Sequence, residues 1–246
     1  MRSQFALAGV LWLVFLILLG AAPGGLAQDT GGIFLTPVAD APFAGVINVE
    51  RTVVQPDGRV VNLKTIRDVA RDSGGRIYNV FRAFEPAAVG GAPPVLRVHF
   101  YDPQTRNYTY LYPQQRTYQT GTVNHPPADE PADLVASPTG SSAPLNQFTK
   151  AEDLGTHSVE GVSAHGVREI QTIPAESSGT GNELVLTDEY WYSDDLHMNV
   201  MVKHNDPRKG SITMTLTQIT RTDPDPSLFQ IPEGYKPMRI GIRGTQ

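Results

Sequence analysis

The side chains of this chain that could do chemistry are six histidines, one serine set between glycines, and a pair of aspartates. His99, His125, His157, His165, His197 and His204 are scattered over strand-like and loop-like stretches. No two have the His-Glu-x-x-His spacing that puts paired imidazoles on one element to hold zinc. His197 and His204 fall on opposite faces of a regular strand, because strand side chains alternate with a period of two. They read as solvated or rim histidines. Gly161-Val162-Ser163-Ala164-His165-Gly166 invites a hydrolase reading, but the motif is not Gly-x-Ser-x-Gly. No helical pattern follows it to build a strand–turn–helix nucleophile elbow. Asp223-Pro224-Asp225 has the carboxylate spacing of a calcium loop, which also needs glycine at its sixth position and an acid at its twelfth. Those positions are Leu228 and Gly234. Asp225 reads instead as the cap of one helical turn with Pro226 at its first position, tucking Leu228 and Phe229 against a sheet. The chain has no cysteine, which excludes disulfides, thiolate nucleophiles and cysteine-bound metals. The sequence therefore predicts no catalytic residue, no metal and no cofactor.

The elements that position these groups begin after residue 27. Arg2 precedes an apolar run from Leu7 to Leu19, and the small residues Gly24-Gly25-Leu26-Ala27 follow. That order is the n-region, h-region and cleavage site of a secretory signal, with cleavage after Ala27. The alternative is an uncleaved membrane anchor, although the run is short for a span of about 20 residues. Export places residues 28–246 in the periplasm or outside the cell, as one β domain resting on its core alone. Acidic residues outnumber basic ones, 25 to 20. A mild acidic balance with no basic run argues against nucleic acid and anionic membrane surfaces as partners.

Residues 28–42 read as a loose lead-in. Strand patterns then cover 43–55 and 59–72 around a Pro-Asp-Gly turn, and 76–84 after Ser73-Gly74-Gly75. Residues 94–101 place Leu96, Val98 and Phe100 on one face, with Arg97 and His99 on the other. Residues 107–112 align Tyr108, Tyr110 and Tyr112. A short strand at 116–120 precedes 121–148, which is rich in Pro, Ala, Ser and Asp and reads as a flexible insert. The pattern resumes at 152–160, 163–173, 183–192, 196–204 and 211–221. In the last block Leu196, Met198, Val200 and Val202 alternate with His197, Asn199, Met201 and Lys203, the clearest two-residue period in the chain. No sustained helical period follows the signal. The fold class is all-β, an antiparallel sheet of about 9–11 strands.

Several of these segments resemble a group of exported, uncharacterised bacterial proteins. They are Asp153 to Gly166, Trp191-Tyr192-Ser193, Asp206 to Gly210, Pro224 to Phe229 and Arg71 to Arg76. The resemblance covers most of the chain after the signal, and its motifs are turns and packing residues. More distantly, the Gly-Val-x-Ala hairpin followed by paired strands is similar to the lipoprotein-carrier (LolA-like) superfamily. That likeness implies a single curved half-barrel sheet enclosing an apolar cavity for acyl chains. The chain departs from it in lacking helices to plug the cavity.

Two functional readings follow. In the first, a non-enzymatic envelope protein binds a lipid or other apolar ligand against Leu96, Val98, Phe100, Met198, Val200 and Val202, with Tyr108 and Tyr110 as an aromatic platform. In the second, the sheet is solid and docks an envelope protein or glycan. A hydrolase ranks last, because no nucleophile–base pair can be assembled.

Overall fold

The computed structural model describes residues 32–123 and 148–238. The expected signal at 1–27 lies outside them, as do residues 124–147 of the expected insert.

The described residues form one open, curved mixed sheet with no α-helix. Eleven of its strands have six residues or more: β1 (Phe43–Val54), β2 (Val60–Arg71), β3 (Ile77–Arg82), β5 (Val95–Asp102), β6 (Asn107–Tyr112), β7 (Thr117–Thr122), β8 (Thr149–Val159), β9 (Val162–Ile173), β10 (Leu184–Ser193), β11 (Met198–Asp206) and β12 (Gly210–Thr220). Two-residue pieces, β4 (Glu85–Pro86) and β13 (Lys236–Pro237), complete it. The order runs β13-β7-β6-β5-β3-β2-β1-β12-β11-β10-β9-β8, with β4 beside β2. Sequential hairpins build each half, and the long-range β1–β12 pair joins them. Only β13, which lies along β7, is parallel to its neighbour. Asp225 accepts a hydrogen bond from Ser227 N (2.8 Å) and caps a 3-10 turn, Pro226–Phe229, as its sequence predicts.

Alternation along the strands gives the sheet two faces. The register aligns Ile47, Val49, Val69, Met214 and Val202 on one face, called inner below. These residues belong to a buried cluster with Phe43, Leu216 and Tyr190. The lead-in is not loose here: Ile33 is fully buried in that cluster and Leu35 packs on it. A second, smaller core of Val80, Val98 and Leu111 forms on the outer face of β3, β5 and β6. Tyr235 packs on it, and Phe229 meets Tyr78 edge-on at 6.4 Å. The C-terminal tail is thus the cover of the outer core, while the lead-in helps cover the inner one.

Farther along the outer face, Glu189 gathers three donors: Trp191 Nε1 (2.8 Å), Lys203 Nζ (2.9 Å) and Arg168 Nη2 (2.9 Å). Burial alone would raise the Glu189 carboxyl, but the donors outweigh it and hold it at about 2. A pKa depressed on folding adds stability above the unfolded value and loses it as pH falls through the folded value. Glu189→Gln is therefore expected to cost about 1–3 kcal/mol at neutral pH, discounted for the half-exposed Lys203 and Arg168. The gap to wild type should close as pH falls from about 4.5 toward about 2. Urea unfolding across that range checks it, and a pH-independent gap would assign the loss to packing alone.

Candidate functional site: a basic-rimmed cavity on the inner face

β2 pairs with β3 only at Val69, Ala70 and Arg71. Beyond that the two backbones part, and only side chains bridge them, among them Thr65 Oγ1 to the Arg82 carbonyl (3.4 Å). A cavity of about 360 Å³ opens over this divergence. Its floor is apolar, Val49, Phe81, Ile212 and Met214, with Phe84 at the rim. Val49 sits opposite both Thr65 and Met214, so β1, β2 and β12 build that floor together.

The polar part of the lining has one sign. Arg51, Arg67, Arg82, His204 and Lys209 contribute to it, and no Asp or Glu does. Arg51 stands opposite Ile212, in phase with Ile47 and Val49. Arg67 is opposite Ile47; its Nε donates to Asn79 Oδ1 (3.2 Å), and its guanidinium lies 5.1 Å from the Phe81 ring centre. Arg82 pairs with Asp68 at 2.7 Å, yet its Nε is buried with no hydrogen-bond partner. His204 Nδ1 meets Asp188 Oδ1 at 2.6 Å, and this hydrogen bond, opposed by burial, raises the His204 pKa above its ordinary value.

From the cavity a ladder of alternating cations and rings crosses the inner face. The Arg97 guanidinium lies 4.6 Å from the Phe81 ring and 4.8 Å from Tyr110. Tyr110 stacks on His99 at 4.7 Å and neighbours Tyr108 at 5.4 Å. Burial, with Arg97 nearby, keeps the His99 pKa below its usual value. Such contacts combine electrostatic attraction to the ring face with shelter from water.

The residues expected to bind ligand fall into three places. Met198, Val200 and Val202 are fully buried in the inner core. Val98 and Phe100 pack in the outer core, on the face opposite Tyr108 and Tyr110. Leu96 departs from the expected alternation: Arg82 pairs with Val95 across a bulge, so Val95 joins the core and Leu96 is left 49% exposed. None of the eight lines the 360 Å³ cavity, but Tyr108 and Tyr110 end the ladder that leads from it. Sequence reasoning missed Arg51, Arg67 and Arg97. Their signal was present, since each basic residue occupies a strand position in phase with inner-face residues.

Among the described residues no group of three or more His, Cys, Asp or Glu is placed to hold a metal. His165 and Asp153 approach to 3.2 Å on the β8–β9 hairpin, and Ser163 makes no side-chain hydrogen bond to either. No described helix is long and apolar enough to cross a membrane.

No protein-family model and no curated protein matches the chain. Among solved structures it is similar to a chain of the Pseudomonas aeruginosa MucA/MucB complex, at 11% identity over 78% of this chain and 56% of that one, with a TM-score of 0.39. This chain therefore spans little more than half the length of that match. It is also similar to the Mycobacterium tuberculosis lipoprotein LppX, at 16% identity over 73% of this chain and 87% of that one, with a TM-score of 0.25. A LolA superfamily protein from Nitrosomonas europaea matches at 11% identity, 76% and 90% coverage and a TM-score of 0.27.

Proposed function

We propose that the protein is an exported, non-enzymatic binding protein that takes an apolar ligand on the inner face of its sheet. The observation that carries this reading is the 360 Å³ cavity with an apolar floor of Val49, Phe81, Ile212 and Met214. Its size falls within the range of small-molecule sites, roughly 300–1,000 Å³. Phe84, 43% exposed at the rim, supplies a large apolar surface that bound ligand would cover. In this reading Met198, Val200 and Val202 are core of the inner face and Val98 and Phe100 core of the outer face, and none of them touches the ligand. Tyr108 and Tyr110 extend it along the ladder, and Leu96 offers a separate apolar contact at the sheet rim.

Binding of a neutral apolar dye such as N-phenyl-1-naphthylamine to delipidated protein tests the reading. Wild type should enhance its fluorescence saturably. Ile212→Trp, which fills the floor, should weaken binding by at least about tenfold while the variant still melts cooperatively. A dye that does not bind wild type, or binds the folded variant equally well, overturns the assignment.

A further inference from the structure

We infer that the ligand is a single-chain amphiphile with one acidic head group, a carboxylate or a phosphate, selected by Arg51 and Lys209. This rests on the cavity being the binding site, as proposed above, and adds the chemistry of what enters it. The first observation is charge. Acidic residues outnumber basic ones in the chain, yet four Arg or Lys side chains and a histidine line this one cavity without a single carboxylate. Arg82 and His204 are matched locally by Asp68 and Asp188. Among the described residues Arg51 and Lys209 form no ion pair. A one-signed rim over a low-dielectric floor concentrates the opposite charge there.

The second observation is position. Arg51 continues the inward row of Ile47 and Val49 and faces Ile212 across the strand pair. An inward position beside aliphatic neighbours is apolar where protein fills the space above it. An arginine there keeps its stem on the floor and its head at the mouth, the arrangement an amphiphile complements. The buried Arg82 Nε, which has no partner within the protein, adds a donor beside the same space.

The third observation is size. At about 30 Å³ for each water-sized group, 360 Å³ holds about twelve non-hydrogen atoms. One medium alkyl chain matches that volume. Guanidinium and ammonium groups bind carboxylate and phosphate through short charge-assisted hydrogen bonds, which a neutral alcohol cannot return.

Calorimetric titration of the delipidated full chain with dodecanoate, dodecyl phosphate, dodecanol and inorganic phosphate tests this. Both acids, or one of them, should bind at least about tenfold tighter than dodecanol, and inorganic phosphate far more weakly than either. The stronger acid identifies the head group. In the Arg51→Gln/Lys209→Gln variant the acid-to-alcohol affinity ratio should fall toward one, with each single variant giving part of the drop. Both residues are exposed, so cooperative melting is expected to persist and serves as the folding control. Equal binding of acids and alcohol, an unchanged ratio in the variant, or inorganic phosphate binding as tightly as dodecyl phosphate overturns the head-group inference. The apolar-site reading survives each of those results if the neutral dye still binds. Failure of every alkyl probe and of the dye removes both.

Discussion

Arg71→Ala should destabilise the protein by about 3–5 kcal/mol and free the segment before β1. Arg71 is fully buried, and its guanidinium is spent on three carbonyls. Nε donates to Ala41 O (2.9 Å), Nη1 to Thr36 O (2.8 Å) and Nη2 to Leu196 O (2.7 Å). The Phe43 ring centre lies 5.2 Å from the same group. Burial lowers its pKa to about 10, which still leaves it charged at neutral pH. The cation thus ties three segments that are remote in sequence: the lead-in, the end of β2 and the β10–β11 turn. Alanine would remove a donor from all three carbonyl oxygens, leaving Thr36 O with Val38 N (2.9 Å), and would leave a void the length of an arginine stem.

Arg71→Met separates those two costs. It restores most of the volume but none of the donors, so it should fall between wild type and alanine. Arg71→Lys keeps the charge, but a single ammonium cannot reach three divergent carbonyls in place of a planar fork. Urea unfolding gives the order wild type, Met, Ala in decreasing stability. Limited proteolysis of the alanine variant should cut first between residues 32 and 42. A loss below about 1 kcal/mol with an uncut lead-in would show that Ile33 and Leu35 hold that segment without the arginine.

Nearly all the strand pattern was legible, because one face of each half is dry and a two-residue period is hard to disguise. The expected runs 107–112 and 163–173 match β6 and β9 to within a residue. The Asp225 cap was legible for an equally local reason. What escaped were long-range events. The lead-in reads as loose because it has no periodic pattern, until Arg71 draws it onto the inner core. The tail's tuck at Leu228 and Phe229 was legible, but not that Tyr235 covers Val80, Val98 and Leu111, more than a hundred residues away. β13 is two residues long and parallel to β7, a pairing no local pattern encodes. The site escaped for a related reason. An apolar-ligand search looks for apolar rows, and those rows became packed core, while the cavity lies where β2 and β3 part. There the informative residues are the cations standing in an apolar phase.

The β11–β12 turn lies at the cavity mouth, and Gly210→Ala is expected to cost about 2–5 kcal/mol. Gly210 has φ +108°, a conformation that side-chain-bearing residues rarely adopt, and it lies opposite Val53 of β1. A Cβ there would run into the Thr52 backbone carbonyl, which has no freedom to swing away. Asp206 fixes the turn further, accepting from Arg208 N (2.9 Å) and Nε (3.0 Å), while Val54 N donates to the Lys209 carbonyl (3.1 Å). Because neither strand can yield alone, alanine must push β12 from β1 at the cavity mouth, where Lys209 and Gly210 line the opening. Gly58→Ala is the internal comparison. Its φ is +81°, but nothing lies within 4 Å of the added carbon, so it should carry only the conformational cost of about 1–2 kcal/mol. The two variants should therefore differ in stability by urea unfolding. They should differ again in dye affinity, measured where both remain folded: Gly58→Ala should bind as wild type and Gly210→Ala several-fold more weakly. If Gly210→Ala loses stability but binds normally, the mouth of the site does not depend on the β1–β12 seam.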